Sequence, residues 1–335
     1  MSFRFPLFRV SWRRTIQGIG TLFLTTIAIG GLYQTVCLFR ERSAFPMPGR
    51  LVDVGGYKMH IYCTGQGSPA VILDSGLGDS FISWQSVQPQ ISSFVRVCSY
   101  DRAGMGYSEA SPRPRTSYVL AEELHQLLHN AGIAPPYILA GHSMAAYNIR
   151  LYASLFKSDV AGIVLVDGCH PDQLNRFPRA LDAMNPGWIR QGTFLEFTMP
   201  IGIPRLLGYC GDSEALRAAE CTFNDARENA AERETFRKSA ALAKNAPLST
   251  DLPLTVISHD PGLRDESLPV NVDRATNAAW EQMQEELSHL SGTGTRIVAK
   301  GSGHYIQNDR PDVVIHAVHE MVDGCSASTL CDHRR

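Results

Sequence analysis

Much of the chemistry this chain could perform gathers around one hydroxyl. Gly141-His142-Ser143-Met144-Ala145 sets a serine among small residues, between a short apolar run (137–140) and a segment in which Ala145, Ile149, Tyr152 and Ala153 recur at helical spacing. A sharp strand-to-helix elbow exposes the serine hydroxyl and brings the helix start against the strand, so only small side chains fit there. The pattern is G-x-S-x-G except at Ala145, which adds one methyl. A serine hydroxyl is a weak nucleophile at neutral pH and needs a base to take its proton during attack. His304, in "RIVAKGSGHYIQNDRP" (296–311), stands just after a strand-like run and before a helical one. "VILDSGLGDS" (71–80) is an apolar strand ending in a glycine-containing loop, a place from which a backbone N–H can reach an oxyanion. His142 flanks the serine, where its spacing suits a pocket wall or a structural role rather than a second base.

The elements that must position these groups are legible as alternating runs. Strand-like segments fall at Leu51–Val54, Met59–Cys63, Ala70–Leu73, Val95–Tyr100, Tyr137–Ala140, Ile163–Val166, Leu254–Ile257 and Arg296–Ala299. The early ones lie close together, as in a meander. The later ones alternate with helical patterns such as 117–132, closed by Gly132, and 310–322, with Pro311 near its start. Strands alternating with helices make an α/β fold with a mostly parallel sheet covered on both faces. Cys169 to Leu252 break the alternation and read as helices and loops. A structureless loop that long is uncommon in a compact domain, so this is an inserted helical cap. Trp188, Phe194, Phe197, Met199, Ile201 and Leu206 in its first half serve either as cap core or as the wall of an apolar pocket.

The chain has 335 residues, 44% of them hydrophobic, enough for a sizeable core. Of its 31 basic side chains, Arg4, Arg9, Arg13 and Arg14 lie at the start, so the remainder is net acidic against 33 carboxylates and has no call for nucleic acid. No zinc-ligand spacing or glycine-rich phosphate loop appears, and neither metal nor cofactor is expected. Residues 15–39 contain no charged side chain, which is long enough to span a bilayer. Four arginines before this run favour a cytoplasmic N-terminus (1–14) and an exported body, tethered through a linker (40–50). Cleavage and secretion is the alternative, but no small-x-small cleavage site follows the run. Eight cysteines suit an oxidising compartment. Cys210 with Cys221 and Cys325 with Cys331 read as short-range disulfides, and Cys169 as a buried thiol.

From about residue 50 to 322 the chain resembles the α/β-hydrolase superfamily. The resemblance rests on the loop at Ser75-Gly76-Leu77-Gly78, on "YDRAGMGYS" (100–108), on the Ser143 elbow and on "GSGHYIQNDRP" (301–311), in that order. It implies an eight-stranded sheet, with a core of 51–168 and 253–322, a cap (169–252) inserted after the sixth strand, and a C-terminal tail (323–335). It also implies a Cys63–Cys98 pair on neighbouring strands, and an oxyanion hole made by the N–H groups of Leu77 and Met144. Ser143 is then the nucleophile and His304 the base. The acid's usual place, the turn after the seventh strand, offers Asp260 first, since it follows the apolar run most directly. Asp265 in the same loop and Asp167 at the end of the sixth strand are the alternatives. Epoxide hydrolases and haloalkane dehalogenases of this fold carry an aspartate at the elbow, so the serine points to acyl transfer. The expected reaction is hydrolysis of a small hydrophobic ester through an acyl-enzyme. Aminopeptidase, amidase or perhydrolase chemistry on the same residues stays open, as does a catalytically silent ligand-binding homologue.

Overall fold

A computed structural model describes residues 12–179 and 187–327. Arg4, Arg9, Cys331 with its expected pairing to Cys325, and the end of the tail lie outside the described residues. Eight strands form one sheet: β1 (Arg50–Asp53), β2 (Lys58–Thr64), β3 (Ala70–Asp74), β4 (Val97–Tyr100), β5 (Tyr137–His142), β6 (Val160–Val166), β7 (Leu254–His259) and β8 (Thr295–Ala299), in the order β1-β2-β4-β3-β5-β6-β7-β8. The first three in space pair antiparallel and every later pairing is parallel, which confirms the α/β-hydrolase fold read from the sequence.

Among the described residues, eight longer helices accompany the strands: α1 (Trp12–Ala44), α2 (Ser117–Asn130), α3 (Ala145–Leu155), α4 (Trp188–Thr198), α5 (Glu214–Glu220), α6 (Phe223–Lys244), α7 (Val270–Ser288) and α8 (Pro311–Ala327). Successive strand side chains point to opposite faces, so a strand buried on both faces supplies two cores. On β5, Leu139 faces Leu124 and Leu127 of α2 and Ile149 of α3, while Ile138 and Ala140 face Val314 and Val318 of α8. In α2 the buried Leu120, Leu124, Leu127 and Leu128 recur at the spacing that places them on one side of a helix.

β6 and β7 are adjacent and parallel, yet α4, α5 and α6 lie between them in sequence. Of these, α6 packs against α4 within the cap and against α2 and α3 of the core. A methyl group on Gly78 would strike Asn229, and one on Gly104 would strike Glu228, so α6 rests directly on the loops after β3 and β4. Cys63 pairs with Cys98 across the β2–β4 register, and Cys210 pairs with Cys221 beside α5, both as disulfides. Cys37 and Cys169 are free thiols among the described residues.

Candidate active site

Ser143 follows β5 with a φ of +54°, a left-handed conformation that a non-glycine residue adopts only when the surrounding structure holds it there. The hold is visible. Ser143 N–H donates to the Val166 carbonyl at 3.1 Å, and the Ser143 carbonyl accepts from Cys169 N–H at 2.9 Å and Ala146 N–H at 3.1 Å. A side chain at Gly141 would collide with Ile149, which explains the glycine before the serine. Ala145 is fully buried against this turn, so its extra methyl is accommodated.

His304 lies beyond β8 and brings Nε2 to 3.0 Å from Ser143 Oγ. Its Nδ1 is 2.6 Å from Asp167 Oδ2, not from Asp260. Asp167 directly follows β6, itself at a φ of +46°, and its carboxylate is fully buried. Four donors meet it. Oδ1 accepts from His259 N–H at 3.0 Å and from Trp280 Nε1–H at 2.8 Å, and Oδ2 is 2.8 Å from His259 Nδ1 as well as 2.6 Å from His304 Nδ1. Burial alone would push this carboxyl up, but the hydrogen bonds and charges of His259 and His304 overcome it and hold it well below the usual carboxylate range. An ionised carboxylate only accepts, so both imidazoles carry their proton on Nδ1. His304 Nε2 then faces Ser143 with a lone pair.

Asp260 is spent elsewhere. Its carboxylate accepts from Gly262 N–H at 2.9 Å and Gly301 N–H at 2.9 Å, with Lys300 Nζ at 3.4 Å, a local turn clasp that does not include His304. Asp265 likewise caps its own turn through Ser267. The geometry thus sets Asp167, and not Asp260, against His304. His259 and Trp280 were not singled out from sequence. The available signal was a histidine ending β7 at the level of an aspartate ending β6.

His142 is buried against the imidazole of His304, with ring centroids 4.7 Å apart, and its Nε2 lies 3.0 Å from the His304 carbonyl. A carbonyl only accepts, so His142 donates and fixes the backbone that carries His304. The loop after β3 is held by Arg102, which sequence reasoning also passed over. Its guanidinium donates to the Ser75 carbonyl at 2.7 Å, the Gly76 carbonyl at 2.6 Å, Asp74 at 3.1 Å and Glu232 of α6 at 2.6 Å. Burial would lower the Arg102 pKa, but Glu232 and Asp74 more than reverse it, so the charge is secure. Arg102 therefore ties the loop carrying Leu77 to both the sheet and the cap. The Leu77 and Met144 amides meet no acceptor among the described residues, and Met144 caps the N-terminus of α3, where backbone N–H groups are unsatisfied.

Leu77, Met144, Tyr147, Phe177, Phe236 and Trp280 form one apolar cluster beside Ser143, with Cys169 within it. Burial pushes the Cys169 thiol up to about 12, so it stays protonated at 3.6 Å from Ser143 Oγ and does not compete as a nucleophile. No group of three or more metal-ligating side chains occurs among the described residues.

The chain is similar to YqjL of Bacillus subtilis, an uncharacterized protein, at 25% identity over 261 residues, covering 77% of this chain and 85% of that one. It is also similar to the probable transporter efuK of Hormonema carpetanum, at 25% identity over 305 residues and 82% of this chain, but it spans only 42% of that protein's length. Among solved structures, a putative lipase from Acinetobacter baumannii superposes with a TM-score of 0.61 at 18% identity, over 88% of this chain and 96% of the lipase. That likeness shows the fold. The alpha/beta hydrolase family model matches residues 71–317, and this chain belongs to that family.

Proposed function

We propose that this hydrolase cleaves the carboxylic ester of a small hydrophobic substrate through an acyl-enzyme, with Ser143 as nucleophile, His304 as base and Asp167 as the orienting acid. The observation that carries the reading is the unbroken run from Ser143 Oγ to His304 Nε2 at 3.0 Å and from His304 Nδ1 to Asp167 at 2.6 Å, on an elbow held at positive φ. Ser143 Oγ adds to the ester carbonyl as its proton passes to His304. The carbonyl oxygen, now negative, takes hydrogen bonds from the Leu77 and Met144 amides. Collapse expels the alcohol, which leaves with the proton from His304. Water, deprotonated by the same imidazole, then attacks the acyl-enzyme, and collapse releases the acid and restores Ser143. Loss of one oxyanion donor costs about 100- to 1,000-fold in turnover in enzymes of this kind. Asp167 keeps the His304 proton on Nδ1 and balances the imidazolium that forms. No cofactor enters this scheme.

The apolar cluster beside Ser143 supports an uncharged acyl group. Helix α1 supports attachment to a membrane. Its stretch from Thr15 to Ala44 is long and apolar enough to span, and its first half is exposed. With arginines before it and two disulfides after it, the orientation that fits is a cytoplasmic N-terminus with the catalytic body outside. A panel of p-nitrophenyl esters of increasing acyl length, run beside aminoacyl anilides on wild type and Ser143→Ala, tests the reaction. Ester turnover abolished by Ser143→Ala supports it. Preference for anilides moves the activity to amide cleavage, and no turnover together with no fluorophosphonate labelling makes the chain a silent binder.

A further inference from the structure

The outer half of α1 is fused to the cap. Gly30, Gln34, Cys37 and Glu41 recur at helical spacing on its less exposed face. A methyl group on Gly30 would sit 2.5 Å from the Ile201 carbonyl oxygen, and one on Gly202 would sit 3.0 Å from the Tyr33 ring. Gln34 Nε2 donates to the Cys221 carbonyl at 2.7 Å, Arg205 Nε donates to Gln34 at 3.0 Å, and Glu41 receives both Arg205 and Arg217. These contacts fix the height of the cap along the helix.

That height lies within the apolar run. Arg13 and Arg14 bar the helix from sliding outward, away from the cytoplasm, so the hydrocarbon begins no earlier than Thr15. A core about 30 Å thick takes about 20 residues at about 1.5 Å each, ending no earlier than Gln34. Even at this shallowest setting, Gly30 and the cap turn packed on it lie about 6 Å inside the outer boundary. On the other side of α1, Leu32 and Phe39 remain 66% and 73% exposed, so the apolar surface continues past the docking contact.

The cap at this level is apolar and uncovered. Phe197, Leu206 and Leu207 are 74%, 69% and 59% exposed, and Tyr209 beside them is exposed too. From Phe197 to Tyr209 the single charge is Arg205, whose guanidinium is buried against Gln34 and Glu41. Tyrosine is a residue of the membrane interface, where its ring is apolar and its hydroxyl wet.

We propose that the face formed by Phe197, Leu206, Leu207 and Tyr209 is a membrane-docking surface, immersed in the outer boundary of the bilayer that α1 spans. The inference rests on the anchor reading above. The partner is the lipid bilayer, and the argument for it is continuity: the patch extends the exposed apolar surface of α1 at a height the docking contacts set. Held this way, the cap meets hydrophobic esters dissolved in the lipid rather than in water.

The test uses the full chain in phosphatidylcholine vesicles, with Cys37→Ser as background and a nitroxide attached at Leu207→Cys, at Phe197→Cys or, as an aqueous control, at Lys157→Cys. Power saturation compares collisions with oxygen, which concentrates in lipid, and with a water-soluble nickel chelate. The expected result is an oxygen-to-nickel ratio at positions 207 and 197 severalfold above that at 157. Equal ratios at all three positions overturn the proposal, and so does a label at 207 shielded from both reagents, which marks a protein contact. A chain that fails to stay with the vesicles defeats the anchor reading instead. Since the readout needs no turnover, its failure is distinct from failure of the proposed reaction.

Discussion

Replacing Asp167 by asparagine changes one atom and inverts the hydrogen bonding around His304. The two donors on Oδ1, His259 N–H at 3.0 Å and Trp280 Nε1–H at 2.8 Å, can only donate, so the amide must turn its oxygen to them. Its NH2 group then faces His304 Nδ1 and His259 Nδ1, where Oδ2 had been 2.6 Å and 2.8 Å away. Both imidazoles must accept there and carry their protons on Nε2. For His304 this puts an N–H toward Ser143 Oγ and removes the lone pair that would take the serine proton. In the serine-protease precedent the same change costs about 10⁴-fold in turnover, equal to about 5 kcal/mol of barrier. The assay is initial-rate hydrolysis of a short p-nitrophenyl ester, with thermal unfolding measured on the same preparations. Asp260→Asn is the matched control: it weakens an exposed turn clasp and leaves turnover within a few-fold. Near-normal turnover by folded Asp167→Asn, with collapse in Asp260→Asn, would refute the tautomer argument and return the role to the loop after β7.

Arg102→Gln strands Glu232 and Asp74 without their buried partner and should lower stability by about 3–5 kcal/mol, read by chemical denaturation; a loss under 1 kcal/mol would show that the clamp between loop and cap is not structural. The Glu220 carboxyl is pushed up to about 7 by burial, with the charge of Asp79 adding to it. A carboxyl raised in the folded state contributes full stability below its unfolded value near about 4.3 and loses it as pH rises through about 7. Glu220→Gln keeps the oxygen that accepts from the Ser80 amide and hydroxyl, so its melting temperature should gain on wild type between pH 5 and pH 8. Parallel pH profiles for the two proteins would contradict that assignment.

Each strand expected from apolar runs is present, and the central ones, buried on both faces, announce themselves by composition alone. The main boundary difference is in β6, which begins at Val160 rather than Ile163. The Ser143 elbow was legible for a local reason: close approach of α3 to β5 forces small residues within five positions. The carboxylate that meets His304 was not, because it depends on where two strand ends stand relative to a third. Asp260 follows its strand as directly as Asp167 follows its own, and nothing in the sequence says that Gly262 and Gly301 will claim the Asp260 carboxylate. Arg102 escaped for a similar reason. Its partners, Asp74, Ser75, Gly76 and Glu232, come from β3, the following loop and a cap helix 130 residues away. The docking of α1 on the cap was equally hidden, since a run of apolar residues reports its length but not which side it turns to a neighbour.

If Ser143 is a nucleophile activated by His304, a fluorophosphonate must react with it covalently. Full-length wild type, Ser143→Ala and His304→Ala would each be treated with a fluorophosphonate and measured by intact mass, with the adduct located by peptide sequencing. The expected result is one adduct on wild type at Ser143, none on Ser143→Ala, and labelling slowed by orders of magnitude in His304→Ala. An adduct at another residue, or labelling of Ser143→Ala at the wild-type rate, would contradict it.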